Sequence, residues 1–351
     1  MACGAAHRLR ARLLLPVALA FAALAFAGDA VAAGPVLLDG QGSDVASYGG
    51  WAAWSRPDPA TGEYELITRS PSGVTARAPV GERAAPFDLE LGPSDGAVSA
   101  VYSRCVDVSA LRGCRIYRYT FGQGAEVVLH APGTSVHEPA IWNDELVYLR
   151  TDPSGGTRRP DNLFAWHMGA SRADAQELPA SRGLSSGGPG HWPKGSVGEV
   201  SGLTIHGQQI AYATTRASES FAITSLWLAH IGGPPRLVDQ VTSGAGATCE
   251  AEFLSPELAG GWLYSYLHDC DPSANPALDR WTRYNLGGRS AQRARFTFVD
   301  VGDEEISAVT PVGGGVDWSG ESGLHELTHI GWSSIPRPVP ETLCSLASPV
   351  C

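Results

Sequence analysis

The segment His-Glu-Leu-Thr-His at residues 325–329 matches the His-Glu-x-x-His pattern of zinc peptidases. On a helix, His325 and His329 would share one face and chelate one ion while Glu326 activated its bound water. On a strand, the two histidines would lie about 13 Å apart and could not share a metal. Glycines bracket the short window 323–331, so we expect a strand here. A metallopeptidase that uses these residues stays open as an alternative.

Residues 92–96, Gly-Pro-Ser-Asp-Gly, match the Gly-x-Ser-x-Gly nucleophile elbow of serine hydrolases. The elbow requires a strand before Ser94 and a helix after it, so that the hydroxyl stands above an oxyanion hole. The residues that follow, 97–102, alternate as a strand does. We therefore predict a β-turn at this point and assign no catalytic residue.

The alternating Asp, Asp, Ser and Asn at residues 269–275 resemble the oxygen-rich start of a calcium-binding loop. Such a loop needs Gly at its sixth position and Glu at its twelfth, where this sequence has Ala274 and Arg280. We therefore predict a surface loop. No cofactor is expected, and calcium is the one candidate.

The composition indicates a globular chain with many turns. Its 351 residues are 43% hydrophobic and 17% charged, with 42 Gly and 25 Pro dispersed between short apolar runs. Gly and Pro at this density favour short strands joined by turns over long helices. The net charge of −11 argues against nucleic acid and anionic membranes as partners, because both require a basic face.

Residues 1–32 have the features of a cleaved secretory signal peptide. A basic start precedes the apolar run 13–26, and small-x-small cleavage sites follow at 25–27 and 30–32. The apolar run is shorter than the roughly 20 residues that span a bilayer. We therefore expect a protein secreted to a periplasm or to the extracellular space, with no membrane span after cleavage.

The cysteines beyond this segment fall into close pairs, namely Cys105 with Cys114, Cys249 with Cys270, and Cys344 with Cys351. None of the pairs has the Cys-x-x-Cys spacing of zinc or redox sites. Six thiols allow 15 connectivities, and closeness in sequence favours these three pairs. We predict structural disulfides, which agrees with export to an oxidising compartment.

A repeat runs through the chain after the signal segment. A short strand that ends in an aromatic residue recurs, with the aromatic at Trp54, Tyr102, Tyr148, Tyr212, Tyr264 and Trp318. A second apolar run follows each copy, and in three copies it closes with His167, His230 or His329 before an apolar residue and Gly. A less regular run precedes most of the aromatic strands. This pattern predicts an all-β fold, a six-bladed β-propeller of mainly four-stranded blades.

Two turns carry a resemblance to a known superfamily. The segments 92–96 and Leu254-Ser255-Pro256-Glu257 each lead into an aromatic-ended strand. They resemble the Ser-Pro-Asp-Gly-x-x-apolar-x-aromatic repeat of TolB-like and WD-repeat-like six-bladed propeller proteins. The resemblance implies a periplasmic or extracellular interaction module, a sensor, or occasionally a hydrolase or lyase scaffold. Fold alone leaves the function open.

An acidic residue recurs near the start of the innermost strand of each predicted blade, at Asp44, Asp88, Glu138, Glu199, Glu250 and Glu304. In a propeller these strand starts surround one mouth of the central channel. Carboxylates around a channel focus negative potential and attract cations. We predict that these six residues bind a cationic small ligand or an unknown partner protein. The alternative is that they are solvated strand ends.

These patterns together predict a secreted, monomeric binding protein that does not transform its ligand. The propeller is expected at 33–335, followed by a Pro-rich tail at 336–351 that is closed by its own disulfide. The long loops 150–162, 213–224 and 268–280 are expected on the binding face.

Two further expectations concern activity and closure. A propeller glycosidase or lyase that uses acidic pairs at the same mouth is the second alternative function. We also predict that residues 35–38 pair beside the strand 324–330, because an amino-terminal strand that completes the last blade removes an exposed sheet edge.

Overall fold

The computed structural model describes residues 35–124, 126–150, 162–178, 197–217, 221–244, 251–268, 280–288, 290–294, 306–320, 322–335 and 341–343. Nearly every regular element in them is a β-strand, and the exception is a single turn of 3-10 helix, Arg172–Asp174. No helix in this described part of the chain has the length and apolar character needed to cross a membrane.

The strands of these residues form six sheets, which are the blades of a propeller. Blade 1 contains β2 (Ser43–Tyr48), β3 (Trp51–Pro57), β4 (Tyr64–Arg69) and β5 (Thr75–Arg77). Blade 2 contains β6 (Glu90–Ser94), β7 (Ala97–Arg104), β8 (Arg115–Thr120) and β9 (Glu126–Leu129). Blade 3 contains β10 (Val136–Trp142), β11 (Glu145–Arg150), β12 (Asn162–His167) and β13 (Gln176–Glu177).

The second half of the ring adds strands from the chain termini. Blade 4 contains β14 (Val197–His206), β15 (Gln209–Ala217), β16 (Phe221–His230), β17 (Arg236–Gly244) and β26 (Glu341–Leu343). Blade 5 contains β18 (Glu252–Ala259), β19 (Trp262–His268), β20 (Arg280–Asn285), β21 (Ala291–Ala294) and β25 (Trp332–Ile335). Blade 6 contains β22 (Ile306–Val312), β23 (Gly315–Gly320), β24 (Gly323–Leu327) and β1 (Val36–Asp39). The predicted all-β six-bladed propeller is confirmed.

Tight turns join the first two strands of each blade. In blade 1, Gly49 and Gly50 have φ values of 58° and 81°, the left-handed pair that a two-residue hairpin turn requires. The predicted β-turn at residues 92–96 is also present, since Asp95 and Gly96 connect β6 to β7. Ser94 is fully buried and accepts a hydrogen bond from Arg118 at 2.7 Å. Its hydroxyl is therefore not exposed as that of a catalytic nucleophile would be.

The ring closes through its amino-terminal strand, as predicted. Strand β1 pairs antiparallel with β24, with Val36 opposite Glu326 and Leu37 opposite His325. Residues 35–38 therefore complete blade 6 and cover what would otherwise be its outer edge. The segment 325–329 begins on this paired strand, so the expectation of a strand in place of a zinc-peptidase helix is confirmed.

The hydrophobic core is divided among the seams between neighbouring blades. Each buried apolar cluster draws residues from two adjacent blades, for example Val147 of blade 3 with Ile205 of blade 4, and Val241 of blade 4 with Phe253 of blade 5. Alternating side chains let each strand serve two seams, one on either face of its sheet.

One member of the aromatic repeat packs differently from the other five. Trp54, Tyr102, Tyr148, Tyr212 and Trp318 are almost fully buried, and each joins the cluster shared with the preceding blade. In blade 5 the buried aromatic is Tyr266, whereas Tyr264 is half-buried; both pack toward blade 6. Leu263 and Leu267 take the face toward blade 4 instead. Tyr264 and Tyr266 therefore lie on the face of β19 that is turned toward blade 6, whereas the aromatic residue of every other blade lies on the face toward the preceding blade.

Other expectations are corrected by the strand bounds. Residues 213–224 are not a long loop, because β15 and β16 form one extended hairpin in which Ala217 pairs with Ala222. The segment 254–257 is not a turn between strands but part of β18. The predicted loops 150–162 and 268–280 lie almost entirely outside the described residues.

The carboxyl-terminal segment adds strands to the outer edges of two blades. Strand β25 pairs antiparallel with β21, and β26 pairs parallel with β17. The tail predicted at 336–351 therefore contributes at least one strand to blade 4.

Of the predicted disulfides, the Cys105–Cys114 bond is present and closes the loop between β7 and β8. The cysteines at 249, 270, 344 and 351 lie outside the described residues. The Cys114 amide donates to Ser135 Oγ at 3.1 Å, and the Val136 amide donates to the Cys114 carbonyl at 3.1 Å. The closed loop is thereby held against the start of β10 in blade 3.

Candidate ligand-binding channel

The innermost strands of all six blades enclose a cavity of about 250 Å³ in the central channel. It begins where these strands start, and among its lining residues are the carboxylates Asp44, Asp88 and Glu138. We call this end of the channel, lined by those three residues, the acidic mouth. The described residues that line the cavity include no basic side chain.

Local backbone distortions aim side chains into this cavity. The pairing of the innermost strand with its neighbour shifts in blades 1, 3, 4, 5 and 6, at the level of Asp44, Glu138, Gly202, Ser255 and Ser307. Asp44 and Glu138 have φ values of 49° and 43°, a left-handed conformation that costs energy for residues other than Gly. Bulges of this kind re-aim side chains and are common beside binding sites.

The bulges also show which residues are equivalent around the ring. Asp44 and Glu138 lie at the bulge in blades 1 and 3, and Asp88 lies beside them in blade 2. The equivalent positions in blades 4, 5 and 6 are Gly202, Ser255 and Ser307. At this level of the channel, the carboxylates therefore come from blades 1 to 3.

The other three residues of the predicted acidic set are not brought into this group by the described structure. Glu199 belongs to β14, where its backbone pairs with Thr215 ahead of the bulge. Glu250 and Glu304 lie outside the described residues. A ring of six carboxylates thus stays a prediction, while the placement of Asp44, Asp88 and Glu138 on one cavity is observed.

Asp88 links the first three blades at the acidic mouth. Its carboxylate accepts hydrogen bonds from the Arg83 guanidinium at 2.7 Å, from the Ser103 amide at 2.7 Å and from the Glu138 amide at 3.0 Å. Arg83 is buried and forms an ion pair with it. Because these donors satisfy an ionised carboxylate, Asp88 is a fixed negative charge that also positions the backbone of Glu138.

Asp44 has different electrostatics from Asp88. Burial raises its pKa from 3.8 to about 6, and the nearby charge of Asp88 acts in the same direction, against a smaller opposing effect of Arg83. A carboxylate with a raised pKa is one whose ionised form lacks compensating charge. The ionised form of Asp44 would therefore be stabilised by a bound cation.

Two further carboxyl groups deeper in the channel were missed by the sequence reasoning. Burial raises the pKa of Glu90 to about 8, although a hydrogen bond with Thr204 lowers it. Burial also raises the pKa of Glu257 well above its usual range, and the charge of Glu90 adds to that effect. Since two such groups resist carrying charge together, they are expected to hold at least one proton at neutral pH.

A sequence signal exists for Glu90, which lies two residues after the predicted Asp88, so the period-two alternation of a strand points both side chains the same way. Glu257 has no such signal, because residues 254–257 are predicted as a turn and its placement depends on the bulge in β18.

The candidate zinc ligands are not assembled into a metal centre. His325 Nε2 is 2.6 Å from Ser322 Oγ, and its ring stacks on Trp318 at 5.3 Å. Glu326 is the next residue on the strand and bonds Arg69 at 3.0 Å, so it faces the other side of the sheet. His329 is exposed beyond the strand end. The three residues therefore do not converge on one point.

Among the described residues, the acidic side chains whose oxygens lie close enough to share one metal ion are those of Asp58, Glu65 and Glu82. Glu65 pairs with Arg56 at 2.9 Å and with Arg77 at 2.6 Å, and Arg77 also pairs with Glu82 at 2.7 Å. The arginines neutralise this group, which makes it an ion-pair network on the outside of blade 1.

No protein-family model matches the sequence, and no curated protein matches it. Among solved structures, the chain is similar to the β-propeller domain of the Trilobed protease from Pyrococcus furiosus, with 11% identity over 84% of each chain and a TM-score of 0.43. It is also similar to the GH93 α-L-arabinofuranosidase of Fusarium graminearum, with 10% identity over 86% of this chain and 94% of that one and a TM-score of 0.44.

TolB from Acinetobacter baumannii is a further similar structure, with 10% identity over 84% of this chain and 57% of that one and a TM-score of 0.39. The chain spans a little over half of that TolB, and 39% and 45% of a prolyl endopeptidase and an acylaminoacyl peptidase with related folds. The predicted β-propeller fold is confirmed by the strand topology of the chain itself, and TolB is among the proteins of similar structure.

Proposed function

We propose that the protein is a secreted, non-catalytic binding propeller whose acidic mouth takes a cationic group, presented by a small molecule or by a partner protein. The observation that supports this most is the convergence of Asp44, Asp88 and Glu138, from three consecutive blades, on one cavity whose described lining has no basic side chain. Export is supported by the segment 1–32 and by the Cys105–Cys114 disulfide, a bond typical of oxidising compartments.

The electrostatics of the mouth give the binding step a physical basis. A cation placed between Asp44 and Glu138 relieves the unfavourable ionisation of Asp44, whose pKa of about 6 it would lower. Binding the cation therefore releases protons below neutrality, and affinity is expected to rise as the pH increases from 5 to 7.5. Asp88 is held by Arg83 and backbone amides, so it orients the site.

The test is a calorimetric titration of the full chain with calcium, magnesium and spermidine. We expect saturable binding of at least one of them, and a rise in melting temperature with its concentration. Asp44→Asn and Glu138→Gln should each weaken binding about tenfold, which corresponds to roughly 1.4 kcal/mol.

Asp95→Asn is a matched control for Asp44→Asn. Both residues have positive φ, 51° and 49°, and Asn accepts this conformation. Asp95 lies in the turn at the other end of its blade and pairs with Arg118 at 2.8 Å. Its replacement should leave cation binding unchanged. Equal effects of the two substitutions, or no binding of any of the three cations, would show that the acidic residues are solvated strand ends.

A further inference from the structure

The channel has a second cavity at its opposite end, with a volume of about 410 Å³. Four of the residues that line it, Tyr48, Trp51, His206 and Tyr264, carry rings and come from blades 1, 4 and 5. We call this end, lined by those four residues, the aromatic mouth. Glu257 lines both cavities and so lies between the two ends of the channel.

The rings of the aromatic mouth are held in place from behind. Trp51 stacks on Phe121 with ring centroids 4.7 Å apart. Tyr48 meets Trp142 edge-on at 5.7 Å, and Trp142 contacts His206 at 3.8 Å. All four lining rings stay half-buried, so each keeps exposed ring surface in a fixed orientation. Rigid, partly exposed aromatic surface is suited to binding, because little conformational entropy is lost when a ligand stacks on it.

Polar groups accompany the rings of this cavity. His206 Nδ1 is buried and has no hydrogen-bond partner among the described residues. Burial lowers the pKa of His206 and raises that of Glu257. Burial thus favours the uncharged form of each group, in which the imidazole and the carboxylic acid offer hydrogen bonds.

The rim of the aromatic mouth is made of turns with little side-chain bulk, including Gly49–Gly50, Gly260 and Gly313. Residues without Cβ atoms leave the cavity open to a ligand and expose backbone amides and carbonyls around it.

We propose that the aromatic mouth is a second binding site, which takes a neutral saccharide. A sugar presents C–H faces that stack on aromatic rings and hydroxyls that bond the His206 nitrogen, the Glu257 carboxyl group and the turn backbone. A purely apolar ligand would leave those buried polar atoms without partners, which is unfavourable. Burial disfavours an ionised carboxylate at this end, so the cavity suits a cation less than the acidic mouth does.

The test uses cellobiose, maltose, lactose and chitobiose, titrated into the full chain and followed by calorimetry and tryptophan fluorescence. We expect at least one disaccharide to bind saturably at millimolar concentration. Trp51→Ala should weaken that binding at least tenfold, and His206→Phe, which keeps a ring but removes the nitrogen, should weaken it severalfold. Circular dichroism and thermal melts establish whether each variant is folded. If Trp51→Ala does not fold, the binding measured for His206→Phe decides the outcome.

Trp262→Ala is the matched control, because Trp262 is also a half-buried tryptophan next to a hairpin turn, but it lies under Arg283 and does not line the cavity. Its binding of the disaccharide should equal that of the wild type. Asp44→Asn should bind sugar normally, which separates this site from the acidic mouth. The proposal is overturned if no disaccharide binds, or if Trp51→Ala and His206→Phe bind as tightly as Trp262→Ala.

Discussion

The seam between blades 4 and 5 and the seam between blades 6 and 1 occupy equivalent places in the ring but differ in chemistry. The seam of blades 4 and 5 is built mostly from apolar residues such as Leu226, Val241, Phe253 and Leu263, and it also holds a buried hydrogen bond that Tyr284 donates to Asp239 at 2.6 Å. The buried apolar residues described at the seam of blades 6 and 1 are Val45, Trp54, Ile67, Ala308 and Leu324. Polar side chains fill the remainder of that seam.

The polar part of this seam follows one face of blade 6. Thr310 lies opposite Asp317, and Asp317 lies opposite Glu326, so the three side chains form a row across neighbouring strands. Two residues of blade 1 bond this row. The Ser47 hydroxyl is 2.8 Å from that of Thr310, and Arg69 donates to Glu326 at 3.0 and 3.3 Å. The row thus joins the last blade to the first through hydrogen bonds and one bidentate ion pair.

Asp317 is the unusual member of the row. It is fully buried, and neither carboxylate oxygen has a hydrogen-bond partner among the described residues. Burial raises its pKa to about 7, helped by the charge of Glu326 and opposed by Arg69. The seam of blades 4 and 5 thus gives its buried carboxylate a hydroxyl donor, whereas the seam that closes the ring places two carboxylates side by side and so ties part of its stability to protonation.

The largest expected effect comes from the apolar seam. Phe253→Ala removes a side chain that is 1% exposed and should lower the free energy of unfolding by about 4 kcal/mol, since a cavity remains. Urea denaturation at pH 5 and pH 8 should give the same loss. Ile67→Ala, at the seam of blades 6 and 1, should cost about 2–3 kcal/mol because the deleted side chain is smaller. A loss for Phe253→Ala that changes with pH would contradict the comparison.

An intermediate effect is expected for Arg69→Met at the polar seam. The substitution leaves Glu326 and Asp317 facing each other without a cation, which should cost about 3 kcal/mol at pH 8. At pH 5 Asp317 is protonated, since its pKa is about 7, so the cost should shrink. Chemical denaturation at both pH values measures the difference.

Arg118→Met serves as the control for Arg69→Met. Arg118 pairs with Asp95, whose side chain is 59% exposed, and donates a hydrogen bond to the buried Ser94 hydroxyl. The exposed pair contributes at most about 1 kcal/mol and the hydrogen bond about 1.5 kcal/mol, and neither involves a buried carboxylate. The effect of Arg118→Met should therefore be smaller, with little change between pH 5 and pH 8. Equal pH dependence in the two variants would show that the buried carboxylates do not govern the seam.

Features that depend on short sequence periods could be predicted, and features that depend on contacts between distant strands could not. The strand repeat predicted the blades, and the apolar segment 35–38 predicted the closure, because alternation and turns are local. The pairing of Arg69 with Glu326 joins residues 257 positions apart in the chain, and the sequence contains no local sign of it. Asp317 likewise lies directly before Trp318 in a predicted strand, and no neighbouring residue in the sequence marks its contact with Glu326.

The candidate site also combines residues that the sequence predicts with features that it does not. Acidic residues ahead of an aromatic strand predicted Asp44, Asp88 and Glu138 at one cavity. The bulges that place Gly202, Ser255 and Ser307 at the same level depend on backbone register, which composition does not reveal. The nearness of Glu90 to Glu257 depends on two blades that face each other across the channel.

The smallest and most specific effect is expected for Asp317→Asn. The folded-state pKa of Asp317 is about 7 against a reference value of 3.8, so between these pH values the folded protein binds more protons than the unfolded chain. The free energy of unfolding therefore falls as pH rises through this window, and the full penalty is present above pH 7. A shift of this size corresponds to about 4 kcal/mol at most, and the unpartnered amide of Asn costs about 1–3 kcal/mol itself. Asp317→Asn should thus be more stable than the wild type by about 1–2 kcal/mol at pH 8 and no more stable at pH 5.

Two kinds of control accompany Asp317→Asn. The variants Asp44→Asn and Glu90→Gln identify the share of the pH dependence that belongs to the channel. The Arg69→Met, Asp317→Asn double variant should recover part of the stability lost with Arg69. An Asp317→Asn variant less stable than the wild type at pH 8 would mean that Asp317 stabilises the closed ring as an anion, and the contrast between the two seams would then be one of packing alone.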